Sequence, residues 1–415
     1  MTEQDWKDLA IKAGTVFTPA TPINKKALFA GRTKQVRQVV DVCNQRGQHA
    51  IIFGERGVGK TSLANTLTEA LSIEDGSDYD LMLPRINCVS TDNYSDIWKR
   101  IFEQIEVKQK VNRIGYKNDS DIIISTIADF YNKEKVSPDD VRQTLLVLSQ
   151  NNVLVFIIDE FDRIEDIKTK TAIADTIKTF SDHAIKASMI LVGVADAVEE
   201  LIKEHFSIER ALVQIQMPRM SREELHEILE KGLQKLGMTI NDKSKNRISL
   251  LSQGLPHYTH ALGLHSTRNA IDNKRMNVTI DDVELAINRA LDESQHTIKS
   301  SYHKAILSTR KKSIYPQVLL ACALARPDEF GYFAPADVRN PLSKIMGKSY
   351  DIPSFSRHLH DFCGEIRERV LRKTGAKHHF KYRFRNPLMQ PYVIMQGFAN
   401  KLIDKKLLEE KYGLF

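Results

Sequence analysis

The stretch His49-Ala-Ile-Ile-Phe53-Gly54-Glu55-Arg56-Gly57-Val58-Gly59-Lys60-Thr61-Ser62 decides how the rest of the chain is read. Ala50–Phe53 is a short apolar run of the kind that forms a buried strand, and it stops at a glycine-rich turn. Thr61–Leu71 carries a helical pattern. A strand, a glycine-rich turn and a helix in that order let backbone N–H groups converge on one point, at the positive end of the helix dipole.

An anion is the natural occupant of such a cradle, and the spacing GxxxxGK[ST] narrows it to a nucleotide polyphosphate. Lys60 is expected to reach the β- and γ-phosphates, and the Thr61 hydroxyl to ligate Mg²⁺. The expected nucleotide contacts are Gly54, Glu55, Arg56, Gly57, Val58, Gly59, Lys60, Thr61 and Ser62. A second stretch, Val153-Leu-Val-Phe-Ile-Ile158-Asp159-Glu160, is an apolar strand ending in two acids. Ligands of open α/β sheets bind at that end of the strands. Asp159 is therefore expected in the Mg²⁺ shell, and Glu160 to orient or deprotonate an attacking water.

Around these motifs, 415 residues with 42% hydrophobic and 27% charged content describe an ordinary globular chain of about three domains. Collagen-like, disulfide-scaffold and wholly disordered classes are excluded. The longest apolar runs, such as Val153–Ile158, fall far short of the ~18 residues of a membrane span. The start Met1-Thr-Glu-Gln-Asp-Trp lacks the basic and apolar regions of a signal peptide, so a cytoplasmic location is expected. Cys43, Cys88, Cys322 and Cys363 show neither a CxxC nor ligand spacing, which fits reduced structural thiols.

Strand patterns at Ala50–Phe53, Pro84–Val89, Val153–Ile158, Met189–Val194 and Leu212–Ile215 alternate with helical patterns. They imply an α/β P-loop core, a parallel sheet with helices on both faces, over residues 31–218. Residues 1–30 read as a lead-in, and Lys108–Ser120 as an inserted loop. After Met217-Pro218 the strands stop. Ser221-Arg-Glu-Glu224 is a capping box opening an all-α lid over 219–300, whose Asp281–Leu291 helix is expected to continue toward Thr309. From Tyr315, three helical patterns (Pro316–Ala325, Pro335–Met346, Pro353–Cys363) precede a hairpin of Val370–Arg372 and Phe380–Phe384. That order describes a winged helix over 301–395, with 396–415 a helical tail.

Charge is unevenly spread. Residues 301–390 hold 17 Lys/Arg against 7 Asp/Glu, so the rest of a chain of net charge +7 sums to −3. Eight cations lie in the hairpin segment: Arg367, Arg369, Arg372, Lys373, Lys377, Lys381, Arg383 and Arg385. Cations around a hairpin tip suit phosphate contacts, and the Pro353–Cys363 helix suits a major groove, so DNA is an expected partner. A basic face serving a protein partner is the alternative.

The two nucleotide motifs and the order of core, lid and winged helix resemble the AAA+ ATPases, specifically their replication-initiator-like, origin-recognition branch. Leu28-Phe-Ala-Gly31-Arg32 is similar to the family's element beside the adenine, which implies a nucleotide contact for Arg32. The resemblance also implies self-association with ATP, and an arginine that enters the neighbouring subunit's site as a catalytic finger. Arg210 matches that place, with Arg219 in reserve. Where the family's sensor strand ends in Asn or Thr, Met189–Ala195 offers only Asp196. Gly254-Leu-Pro-His257 is similar to the lid of STAND signalling ATPases and transposon regulators, which implies His257 as a sensor of nucleotide state; a histidine satisfied by local hydrogen bonds is the plainer reading. Two functions follow: an ATP- and Mg-dependent assembly switch engaging DNA in replication, plasmid maintenance or transposition, or a STAND-like signalling ATPase of anti-phage defence that binds a partner or effector protein or foreign nucleic acid.

Overall fold

The computed structural model describes residues 1–22, 30–71, 80–112, 120–131, 133–194, 208–308, 313–328, 330–376 and 379–403. They form two compact units. One comprises Arg32–Gly54 and Lys60–Met217; the other comprises Met1–Gly31, Glu55–Gly59 and Pro218–Phe415. The five expected segments thus gather into two bodies.

The first unit contains strands β1 (His49–Phe53), β2 (Asp80–Met82), β3 (Arg85–Asn87), β4 (Glu106–Asn112), β5 (Ser120–Thr126), β6 (Asn152–Asp159), β7 (Ala187–Gly193) and β8 (Leu212–Gln216). Its main sheet runs β2-β6-β7-β1-β8, with β3 also on β6, and every pairing in it is parallel. Parallel strands are covered on both faces, so they need continuous apolar sequence. Leu154–Ile158 and Met189–Val192 meet that need and are buried throughout. Helices Thr33–Cys43, Lys60–Leu71, Tyr94–Phe102, Pro138–Leu148 and Ile167–Asp182 flank the sheet. Trp98 anchors the core, its ring 5.4 Å from Phe156, 5.9 Å from Phe102 and 6.2 Å from Phe180. Ser137 caps its helix with Pro138 in the first turn, as its sequence predicts.

Because β7 lies between β1 and β6, the carboxyl ends of β1 and β6 are separated by one strand width. The expected inserted loop is instead a hairpin: β4 and β5 pair antiparallel from Glu106↔Thr126 to Asn112↔Ser120. Lys108-Gln-Lys110 is a run of consecutive polar residues in the sequence, so no period-2 signal marks it.

In the second unit the lead-in is a helix, Glu3–Val16, opened by a Thr2–Asp5 capping box. Phe17 follows it into a space left by two glycines: a Cβ on Gly232 would lie 2.6 Å from the Phe17 ring, and one on Gly263 3.0 Å. The lid helices are Arg222–Lys235, Asp242–Ser252, Pro256–Asp272 and Ile280–Asp292, with a short parallel pair β9 (Thr239–Ile240) and β10 (Asn277–Val278). The Ser221 capping box forms as expected. The last lid helix does not continue toward Thr309. It ends at Asp292, and a separate helix, His296–Ile306, begins after Gln295.

The C-terminal module has helices Tyr315–Leu324, Pro335–Met346 and Ile352–Asp361, then antiparallel β11 (Leu371–Thr374) and β12 (Lys381–Phe384), then helix Met389–Ala399. A bridge between Phe333 and Tyr382 adds a third short segment to the hairpin. The expected tail over 396–415 therefore starts earlier, as the Met389–Ala399 helix, and residues 404–415 lie outside the described residues. No helix among the described residues is long and apolar enough to cross a membrane.

Candidate phosphate site and basic module

The phosphate loop meets its steric requirements residue by residue. A Cβ on Gly54 would sit 2.3 Å from the Met217 carbonyl oxygen, so only glycine fits there. Gly57 and Gly59 have φ of +89° and +95°, a region that side chains rarely adopt. Lys60 opens the following helix, and its Nζ donates to the Gly54 carbonyl at 3.0 Å, folding the side chain back along the loop. Thr61 and Ser62 stand in the first turn, half-buried, and Arg56 is exposed.

At the end of β6, Asp159 is buried and Glu160 is half-exposed. Both oxygens of Asp159 are engaged: Oδ1 accepts the Glu160 N–H at 2.8 Å, and Oδ2 accepts Arg85 Nη2 at 2.6 Å. Glu160 has a left-handed backbone, φ 55°, and leads from the strand into the short 3-10 turn Phe161–Arg163. Its carboxylate pairs with Arg163 at 2.8 Å. An exposed pair of this kind is worth under about 1 kcal/mol, so it holds Glu160 only loosely.

Glu55 is the loop residue whose environment sequence reasoning did not foresee. In the second unit its Oε2 accepts Arg219 Nε at 2.6 Å, while Arg219 Nη1 donates to Gln390 Oε1 at 2.6 Å and to the Gln253 carbonyl at 3.2 Å. Gln390 is buried and its amide also donates to the Ala323 carbonyl. Arg219, the reserve finger, is thus an internal clamp on the phosphate loop in this structure. Arg210 is exposed and makes no ion pair with its neighbour Glu209 among the described contacts.

The remaining nucleotide candidates divide. Arg32 is buried and begins the Thr33–Cys43 helix from a left-handed backbone, φ 62°. His257 Nδ1 lies 2.8 Å from the Pro19 carbonyl, which can only accept, so the proton sits on Nδ1. Burial pushes its pKa down, against the carbonyl's opposing effect, and keeps the ring neutral. Leu28 and Asp196 lie outside the described residues.

Several cations of the basic module have internal partners. Arg367 lies 3.2 Å over the Tyr315 ring and donates to the Leu307 and Ala305 carbonyls. Lys381 pairs with Asp328 at 2.9 Å, and Arg369 pairs with Glu365. Lys373 stands 4.4 Å over the Phe380 ring and Arg383 4.8 Å over Tyr332. Arg372 and Arg385 are exposed, as are Arg357 and His360 on the Ile352–Asp361 helix. Lys377 lies outside the described residues.

With this geometry in place, the class of the first unit is plain. Residues 43–202 match the family described as AAA domain. Over that stretch the chain is similar to this family. Its fold is similar to that of the Walker-type ATPase PABY2304 of Pyrococcus abyssi, with a TM-score of 0.55 and 15% identity over 91% of this chain and 99% of that one. It also aligns with the ORC2 protein of Aeropyrum pernix, solved with ADPNP and ADP, at a TM-score of 0.49 and 15% identity over 96% and 97% of the two chains. A third alignment is to the Aeropyrum pernix ORC1 protein in complex with DNA, at a TM-score of 0.49 and 12% identity over 94% and 97%. No curated protein matches the chain in sequence.

The Glu55–Arg219 pair is about four-fifths withdrawn from water on each side. Removing one partner of a fully buried pair costs about 3–5 kcal/mol, and partial exposure lowers this. Arg219→Ala should therefore destabilise the second unit by roughly 1–3 kcal/mol in urea unfolding, with much of the loss recovered in Arg219→Ala/Glu55→Gln. Equal midpoints for wild type and Arg219→Ala would exclude the clamp.

Proposed function

We propose that the protein is an ATP- and Mg²⁺-dependent assembly switch of the AAA+ type, related to the replication-initiator branch, that engages DNA through a C-terminal winged helix. The observation that carries the nucleotide half is the loop at 54–61, with its obligatory Gly54, its two left-handed glycines and Lys60 folded along it. The N–H groups of this loop and of the first helical turn bind the β- and γ-phosphates. Hard oxygen donors suit Mg²⁺, so the Thr61 hydroxyl and the Asp159 carboxylate are the residues that would hold it. When bound, Mg²⁺ neutralises charge on the phosphate oxygens. Glu160, on its left-handed turn, orients the attacking water and takes its proton. Arg210 supplies positive charge to the site of a neighbouring copy as the γ-phosphoryl leaves.

The DNA half draws on the helix–hairpin order of the module, its excess of cations and the exposed Arg357, His360, Arg372 and Arg385. Arg367 serves the module's own packing, so fewer cations meet phosphate than the eight of the segment. A second reading, a STAND-like signalling ATPase whose basic face binds a partner protein, draws on Gly254-Leu255-Pro256: a Cβ on Gly59 would sit 3.9 Å from the Pro256 ring.

Three measurements test this reading. Lys60→Ala should abolish binding of a fluorescent ATP analogue, and Glu160→Gln should bind it without turnover; equal turnover in wild type and Glu160→Gln would remove Glu160 from the mechanism. Arg210→Ala and Lys60→Ala should each be inactive alone and regain turnover when mixed, because each supplies what the other lacks at a shared interface. A protein that stays monomeric by light scattering with ATP present contradicts that. Log affinity for duplex DNA should fall with log salt at a slope of roughly −2 to −4, about −0.9 for each of a few phosphate contacts. Arg372→Ala/Arg385→Ala should flatten the slope and spare ATP binding. No binding to DNA at low salt with any nucleotide turns the module toward a protein partner.

A further inference from the structure

Asp159 already has a cationic partner, and that partner comes from a strand that the phosphate-site motifs do not include. Arg85 opens β3, which pairs parallel to β6 with Arg85 opposite Ile157 and Asn87 opposite Asp159. The Gln104 side chain fixes the Arg85 backbone at both of its polar groups, accepting from its N–H at 2.9 Å and donating to its carbonyl at 2.8 Å. From this fixed point the guanidinium reaches the buried carboxylate, Nη2 to Oδ2 at 2.6 Å. The Arg85 side chain is 22% exposed and that of Asp159 3%.

A buried carboxylate without a partner is strongly disfavoured, so something must balance Asp159 before any metal arrives. The Glu160 N–H on Oδ1 is a neutral donor and balances it only in part. Arg85 supplies the charge. The same charge opposes a divalent cation drawn to the same carboxylate, because like charges within a few ångströms repel strongly where water is scarce. Neutral and anionic partners raise a ligand's affinity for metal, whereas a cationic one lowers it.

We propose that Arg85 is a positioning residue for the nucleotide site: it holds the Asp159 carboxylate in place in the metal-free protein and competes with Mg²⁺ for it, which sets the Mg²⁺ concentration that ATP binding requires. The inference rests on the nucleotide reading above and adds to it the residue that tunes the metal requirement. It also assigns Gln104 a purpose, as the group that keeps Arg85 in register with Asp159.

The test is a titration of Mg²⁺ into full-length protein with a fluorescent ATP analogue, read as the Mg²⁺ concentration at half-maximal nucleotide binding. Arg85→Gln keeps hydrogen-bonding reach without charge and should lower that concentration about three- to tenfold, the effect of removing one nearby like charge. Arg85→Lys keeps the charge and should stay near wild type, which a purely steric or packing role for Arg85 does not predict. Gln104→Ala, which leaves Arg85 in the chain but frees its backbone, should shift in the same direction as Arg85→Gln by less, and serves if Arg85→Gln folds poorly by circular dichroism. An unchanged or raised Mg²⁺ requirement in folded Arg85→Gln overturns the proposal and leaves the nucleotide reading standing. Wild type that binds no nucleotide at any Mg²⁺ concentration overturns both.

Discussion

The contact between the loop backbone at Gly54 and the Met217 carbonyl is the constraint on which the site depends. Met217 ends the segment that leaves β8, its N–H donates to Phe53 at the end of β1, and its carbonyl fills the space where any other residue at position 54 would carry a Cβ. The parallel pairing of β1 with β8 therefore does more than complete the sheet. It presses the chain leaving β8 against the chain leaving β1, so the phosphate loop turns at a fixed place. Two left-handed glycines then curl the loop back to the Lys60–Leu71 helix. The pairing of β1 with β7 on its other side, and of β7 with β6, sets the spacing from that loop to Asp159.

The parts of the fold that were legible in the sequence share one physical property. Their signal is local: a continuous apolar run for β6 and β7, a glycine-rich turn before Lys60, a capping box at Ser221, proline in the first turn at Pro138. Segments whose structure departs from the sequence pattern lack such a signal. Among the described residues the β4–β5 hairpin forms a sheet of its own, and its Lys108-Gln-Lys110 run shows no apolar–polar alternation in sequence. β2 is three residues long. The break between Asp292 and His296 contains neither glycine nor proline, and the helix ends there on a residue with helical backbone, Glu293, without a sequence marker.

The candidate site divides in the same way. The identity of Gly54, Lys60, Thr61, Asp159 and Glu160 follows from two short motifs, whereas their partners come from far along the chain. Arg85 stands 74 residues from Asp159, and Arg219 stands 164 residues from Glu55 and 171 from Gln390. No periodicity connects such residues; only the strand order and the packing of the second unit bring them together. The basic segment illustrates the converse. Its cations were all visible, but their count could not tell that Arg367 is spent on the Tyr315 ring and two backbone carbonyls.

Charge balance in the two motifs follows the same rule within each unit. Three acids of the motifs each have a cation: Arg219 on Glu55, Arg85 on Asp159, Arg163 on Glu160. Their burial orders their strength. The Asp159 pair is the most withdrawn from water, the Glu55 pair is intermediate, and the Glu160 pair is half in solvent, where an ion pair holds weakly. On the proposed reading, Glu160, the group that would move a proton, is thus the one held most loosely, and Asp159, the group that would hold a metal, is the one held most firmly.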